Sequence, residues 1–375
     1  MLKSFSTLMK KYLFIYLFFL SLFAQSQNKG NTNYAFSADI NYGYNLARNH
    51  SNYAFEEKMP FSFQLSYKKA NYFNQSKLNH FSYTDFGINF LYHDFKDKQL
   101  GKNYGLYIFS DFYLNHPKRK FQLVFRTMMG LAYNTNPYNK VTNPKNRLFG
   151  EHLLFPFDIA FYIKSPKWQH WRAELGLGIF HYSDGNLQAP NYGANIPSMM
   201  FGLIYDRKDK EIIAAKEKLS FDKKWQYSSF LRFGMNESDY KDSGVFPFFI
   251  PGFQVSKHLT YRNRISFGAE LFLSYFLKEQ ISYEYHTMPE LGLSEEYDFK
   301  RFGLFASHEF FYGKFGLTMG VGYYIYYPYA FESRLYNRLG VKYYFNNKWS
   351  AAYSIKVHDI NRAEAIELGI MYQIN

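Results

Sequence analysis

Residues 170–183, HWRAELGLGIFHYS, alternate two kinds of side chain with a period of two. Counting back from Ser183 in steps of two gives His181, Ile179, Leu177, Leu175 and Ala173, while the other register reads Tyr182, Phe180, Gly178, Gly176, Glu174 and Arg172. Successive residues of a β-strand point to opposite faces, so one face here is apolar up to its last two positions. Those two are an imidazole and a hydroxyl, followed by the turn-rich DGNLQAPNYGAN of residues 184–195. Side chains at i and i+2 share a face, which is the spacing a base-activated nucleophile needs.

The same alternation recurs along the chain. Strand candidates fall near 33–46, 60–69, 80–93, 102–114, 120–133, 149–164, 170–183 and 196–206. After the charged segment DRKDKEIIAAKEKLSFDKK at 206–224, eight more fall near 225–236, 245–257, 263–275, 299–312, 314–327, 333–345, 348–358 and 363–374. With 37 Tyr and 42 Phe, the composition is 22% aromatic, yet mean hydropathy is only −0.39. Tyr-rich alternating strands separated by polar turns are the pattern of an all-β, antiparallel transmembrane barrel of the outer membrane, with aromatic girdles at both interfaces. A secreted β-sandwich is the nearest soluble alternative. Every edge must close in a membrane, which one barrel of about 12–16 strands or two eight-stranded units would achieve. The one-barrel arrangement, with 207–224 as a charged loop or linker between a half at 27–206 and a second half at 225–375, is the favoured expectation. The last strand, with Ile366, Leu368, Ile370, Tyr372 and Ile374 on one face, reads as a terminal barrel strand facing lipid.

The N-terminus fits export to that location. Lys3, Lys10 and Lys11 precede the apolar run YLFIYLFFLSLFA from Tyr12 to Ala24, and Ala24 and Ser26 suit the −3 and −1 positions of a cleavage site. Residues 1–26 therefore read as a signal peptide, with a mature start near Gln27. The chain contains no Cys, which excludes a lipobox anchor, a disulfide framework and thiolate chemistry. Its net charge of +13 comes from 44 Lys and Arg against 31 Asp and Glu. That balance suits anionic lipid headgroups, and an exported chain has no call on nucleic acid.

The two halves echo each other weakly. YGLYIFSDFYLNHPKRKFQLVFRTMMGLAYNTNPY from Tyr104 resembles FGLFASHEFFYGKFGLTMGVGYYIYYPY from Phe302, and His358 then mirrors His181, with Ile360 where the first copy has Ser183. Other groupings are poorer candidates for chemistry. His93 with Asp94 and Asp97, Glu151 with His152, and His308 with Glu309 are largely neighbours that face opposite ways on a strand and chelate badly. Neither a phosphate-binding GxxxxGK[ST] nor a dinucleotide-binding GxGxxG at a strand–helix junction occurs.

The stretch HYSDGNLQAPNYGAN resembles the outer-membrane lipid A 3-O-deacylases, the acyloxyacyl hydrolase-like barrels, whose pattern is His-x-Ser-Asn followed by a Pro-Asn loop and an acidic residue. The similarity runs back through NYGLYIFSDFYL and GLAYNTNPYNKVTNPKNRLFGEHL and forward to MMFGLIYD, about residues 100–206. The resemblance implies an esterase, a carboxylic ester hydrolase that removes a fatty acyl chain from lipid A or a related acylated lipid without a cofactor. Its nucleophile would be Ser183 and its general base His181. The family's acidic residue falls on Asn195, which can orient an imidazole but cannot balance its charge. The family's Asn after the serine is Asp184, so Asp184, Gly185 and Asn186 are candidates for orienting His181 or for backbone oxyanion donors. The substrate expected from this resemblance is lipopolysaccharide in the outer membrane of a Gram-negative-type bacterium. Two other readings stay open at this level: a porin-like or structural barrel without catalysis, and a barrel phospholipase or acyltransferase.

Overall fold

The computed structural model describes residues 34–46, 59–70, 84–115, 119–206, 221–238, 240, 243–312, 314–359 and 362–375. The expected signal segment and residues 207–220 of the charged segment lie outside the described residues.

Strand β1 (Tyr34–Gly43) shows why the chain folds as it does. Its inward residues are Ser37, Asp39 and Asn41, and its outward ones include Phe36, Ile40 and Tyr42. Phe36 is 54% exposed and Asp39 1% exposed, the inverse of a soluble protein. Only a hydrocarbon solvent rewards that arrangement. β1 is followed by β2 (Phe61–Ala70), β3 (Thr84–Asp94), β4 (Lys102–Tyr113), β5 (Gln122–Asn134), the two-residue β6 (Leu153–Leu154), β7 (Phe157–Lys164), β8 (Trp171–Tyr182) and β9 (Ala194–Asp206). Each pairs antiparallel with its ring neighbour, β5 pairs with β7, and β9 returns to β1 with Asp206 opposite Ala35. That last pairing closes an eight-stranded barrel, on whose rim β6 sits against β5. The single expected strand at 149–164 is interrupted between β6 and β7, where Pro156 cannot donate to a ladder.

A second closed barrel follows: β10 (Trp225–Glu237), β11 (Val245–His258), β12 (Asn263–Ser274), β13 (Arg301–Tyr312), β14 (Phe315–Tyr326), β15 (Leu335–Tyr344), β16 (Trp349–His358) and β17 (Arg362–Gln373). The sixteen long strands thus form two rings of eight, the alternative to the favoured single barrel. The reason is that β9 finds its partner in β1, and β17 finds its partner in β10. Helix α1 (Tyr275–Thr287), which the strand pattern did not anticipate, buries Phe276, Leu277, Gln280, Ile281 and Glu284 on one face. It packs with Tyr329 and Phe331 at one end of the second barrel. Short turns at 259–262 and 345–348 mark the other end.

Both interiors are filled. In the first, Asp111 accepts from Arg126 at 2.5 and 3.0 Å, from Lys164 at 2.8 Å and from Lys68 at 3.3 Å, with all four side chains buried. In the second, Arg338 reaches Glu367 and Glu270, Arg301 reaches Glu364, and Arg264 reaches Glu309. A cavity of about 50 Å³ beside Arg232 and Arg338 has room for a water or two. Interiors of this kind argue against a porin-like channel. Replacing Asp111 by Ala would leave three buried cations without their shared carboxylate and should cost about 3 kcal/mol. The measurement is a shifted urea midpoint of the heat-modifiable gel band; an unshifted midpoint would contradict it.

His358, the echo of His181, sits differently. It is fully buried inside the second barrel, with Nε2 2.6 Å from Glu364, whereas His181 faces outward.

Candidate active site

The inward residues of β8 fix the orientation of its end. Phe180 and Tyr182 are both fully buried, and each packs edge-on against His93, at 5.8 and 5.4 Å between ring centroids. Anchoring these two rings in the barrel interior turns the alternate side chains Leu175, Leu177, Ile179 and His181 to the outside. Leu177 is 61% exposed, while His181, at the end of that lipid-facing row, is half-buried.

β8 and β9 are adjacent, and their register sets His181 directly opposite Asn195. Across that pair the His181 Nδ1–H donates to Asn195 Oδ1 at 2.7 Å. This leaves the lone pair of the neutral ring on Nε2. The backbone of His181 is held as well, its N–H donating to Asp158 Oδ1 at 3.0 Å. Asn195 is fixed from its other side by a short bridge to Leu46, whose N–H donates to the Asn195 carbonyl at 2.9 Å.

Ser183 follows the last residue of β8 and is buried, its carbonyl accepting from the Phe155 N–H at 2.7 Å. Gly193 relates it to His181. A Cβ built on Gly193 would lie 3.4 Å from Ser183 Cβ, 3.5 Å from His181 Cε1 and 2.9 Å from the Tyr182 carbonyl. Both side chains therefore border the same point, and the left-handed φ of +66° at Gly193 keeps that point open. The loop is tied there by the N–H groups of Tyr192 and Gly193, which donate to the carbonyls of Arg147 and Leu148. The Asn-rich segment 134–146 thus lies next to the site, knitted by its own amides, such as Asn146 Nδ2 to the Asn136 carbonyl at 2.8 Å.

The three residues after Ser183 serve mostly other ends. Asp184 is fully buried and its Oδ1 accepts from the N–H groups of Asn186 (2.9 Å) and Leu187 (3.2 Å), an Asx-type turn. Its own N–H donates to Asn191 Oδ1 at 3.1 Å. The backbone donors of Asp184 and Asn186, candidates for an oxyanion, are therefore engaged within the turn, and Gly185 is left. The imidazole's hydrogen bond on Nδ1 is to Asn195. Asp158, Asn191 and Gly193 were not singled out for the site, since a carboxylate on the preceding strand and a loop amide carry no local motif.

Burial pushes the Asp184 carboxyl well above the usual carboxylate range, with Glu151 adding to the shift. Between the ordinary Asp range and the raised value, the folded loop then holds a proton that the unfolded chain has lost. Stability from this group is present below the ordinary Asp range and is lost as pH rises through the raised value. Asp184→Asn keeps the Oδ1 acceptor and removes the titration. Its unfolding midpoint should therefore lose less than that of the wild type between acid and alkaline pH, and parallel pH profiles would contradict this.

Two family models match the chain: lipid A 3-O-deacylase (PagL) over residues 61–203, and the acyloxyacyl hydrolase C-terminal domain over residues 225–375. Among solved structures, the outer membrane enzyme PagL is 14% identical, with a TM-score of 0.31, covering 44% of this chain and 97% of its own. The ferric enterobactin receptor PfeA of Pseudomonas aeruginosa is 13% identical over 88% of this chain and 45% of its own, with a TM-score of 0.23. The Acinetobacter baumannii outer membrane protein Omp33 is 7% identical over 91% of this chain and 99% of its own, with a TM-score of 0.19. None of the curated proteins compared with the chain matches it.

Proposed function

Because the chain belongs to the lipid A 3-O-deacylase family, whose two models match residues 61–203 and 225–375, we propose that this outer-membrane ester hydrolase cleaves an acyl ester of lipid A with Ser183 as nucleophile, His181 as general base and Asn195 as the residue that orients it. The observation that carries this reading is the 2.7 Å hydrogen bond from His181 Nδ1–H to Asn195 Oδ1 at the end of a lipid-facing row. It leaves Nε2 free of its proton on the side of the ring that must accept one.

In the reaction, His181 Nε2 takes the Ser183 hydroxyl proton as Oγ attacks the acyl carbonyl. The tetrahedral intermediate collapses by expelling the sugar hydroxyl, which receives that proton from His181. Water, deprotonated by the same imidazole, then attacks the acyl-Ser183 ester and releases the fatty acid, restoring the serine. Of the three residues after Ser183, Gly185 offers a backbone N–H for the oxyanion. The outward, apolar approach along Leu175, Leu177 and Ile179 suits an acyl chain that stays in the bilayer while its ester reaches the rim. Export would be directed by residues 1–26.

Asn195 is neutral, so it fixes the tautomer without balancing the imidazolium charge. Asn195→Ala should lower kcat roughly 10- to 100-fold by loosening the ring and leave KM nearly unchanged, as read from fatty acid release. An unchanged kcat would remove Asn195 from the mechanism. The proposal as a whole is tested by incubating the folded protein in vesicles with purified lipid A. Release of one fatty acid per lipid A is expected, and its absence would contradict the proposal.

A further inference from the structure

The loop that follows Ser183 is held by the second barrel. At the end of β10, the buried Glu237 accepts the Ala189 N–H on Oε2 at 2.7 Å and the Gly244 N–H on Oε1 at 3.3 Å. Its own N–H donates to the Asn186 carbonyl at 3.2 Å. At the start of β17, the Glu364 carbonyl accepts from Asn186 Nδ2 at 3.2 Å and from Asn236 Nδ2 at 3.4 Å. Ile366 closes the gap: a Cβ on Gly185 would lie 2.2 Å from its Cδ1, and the φ of +69° at Gly185 turns the loop against it. Near the other end of the strands, Phe86 of the first barrel stacks on Phe315 of the second at 5.8 Å.

These contacts converge on residues 185–189, the segment that joins Ser183 to the Asn191–Gly193 turn and so to Asn195. A buried carboxylate with both oxygens on backbone N–H groups makes strong, directional bonds. The first barrel closes without help, so this attachment is not needed to complete its fold.

We propose that the second barrel is a positioning element for the site of the first, acting through Glu237 as a positioning residue and through Ile366 as the surface against which Gly185 is set. This rests on reading Ser183 and His181 as the reacting pair. With Glu237 in place, the loop carries Ser183 and the Gly185 N–H at a fixed distance from His181. Without it, the loop departs from the geometry that attack requires, and small misplacements are costly in rate. The loss falls on kcat and not on KM, because the lipid-facing row that receives the acyl chain belongs to β8.

The test uses the full chain in vesicles with purified lipid A, each variant first shown to be folded by its heat-modifiable band. Glu237→Ala should lower kcat roughly 10- to 100-fold with KM within about twofold of wild type. Glu237→Gln, which keeps an acceptor for the Ala189 N–H, should recover most of that loss. Ile366→Ala shortens an apolar side chain of β17 and changes no charge, and should lower kcat several-fold, so it serves even if Glu237→Ala does not fold. Wild-type kcat in the folded variants, or equal losses in kcat for Ala and Gln at position 237, would overturn the proposal while Ser183→Ala remained inactive. An active Ser183→Ala would instead remove the reading on which the proposal rests, and the proposal with it.

Discussion

Ser183→Ala should lower fatty acid release from lipid A by roughly 10³-fold or more, which is about 4 kcal/mol of transition-state stabilisation. The substitution removes one oxygen from a buried side chain, and the Ser183 carbonyl keeps its bond from the Phe155 N–H. The barrel should therefore show the wild-type gel shift and unfolding midpoint. What is lost, in the proposed mechanism, is the atom that forms the acyl-enzyme, and the adjacent Asp184 is turned into its own loop by the Asn186 and Leu187 N–H groups. Residual activity within tenfold of wild type would mean that water attacks the ester directly, or that another group does.

His181→Ala should be nearly as damaging, with kcat reduced roughly 10³-fold. In the proposed mechanism the imidazole removes the Ser183 proton, and its loss also takes away the hydrogen-bond partner on Asn195 Oδ1. Because the two residues act on one proton, their effects should not add: the double variant should be no slower than Ser183→Ala alone. That non-additivity separates a shared mechanism from two independent structural lesions, which would multiply. The outward orientation of His181 separates this loss from a folding defect, since no core ring is removed; Phe180 and Tyr182 still anchor β8.

Much of this arrangement is written in local pattern. Period-two alternation marks a strand whatever ring it joins, so the sixteen long strands could be read along the chain. The division into two barrels could not, because it depends on Asp206 meeting Ala35 and on β17 meeting β10, pairings that leave no local trace. Helix α1 was hidden because its buried face takes in the polar Gln280 and Glu284, so no apolar stripe runs its length, and only its second half, ISYEYHT, alternates in the manner of the strands. The spacing of His181 and Ser183 at the end of one strand-like run was legible in the alternation, whereas Asn195 came only from the family resemblance; that the β8–β9 hairpin sets residues 181 and 195 in register is seen in the fold alone. The fate of the Asp184 and Asn186 N–H groups was not, since a DG step signals a turn without saying which donors the turn consumes. Glu237 and Ile366 were out of reach altogether: they stand on the other barrel, and nothing near them in sequence points to residue 189 or 185. The echo between the halves misled at one point, pairing an outward His181 with a His358 that lies inside its barrel beside Glu364.

The most direct test of the central claim is mass spectrometry of lipid A from cells that lack the native gene and express either the wild-type chain or Ser183→Ala, each shown to be folded by its heat-modifiable band. Loss of one acyl-chain mass with the wild type, and an intact lipid A with Ser183→Ala, is the predicted result. Identical spectra from two folded barrels would contradict it.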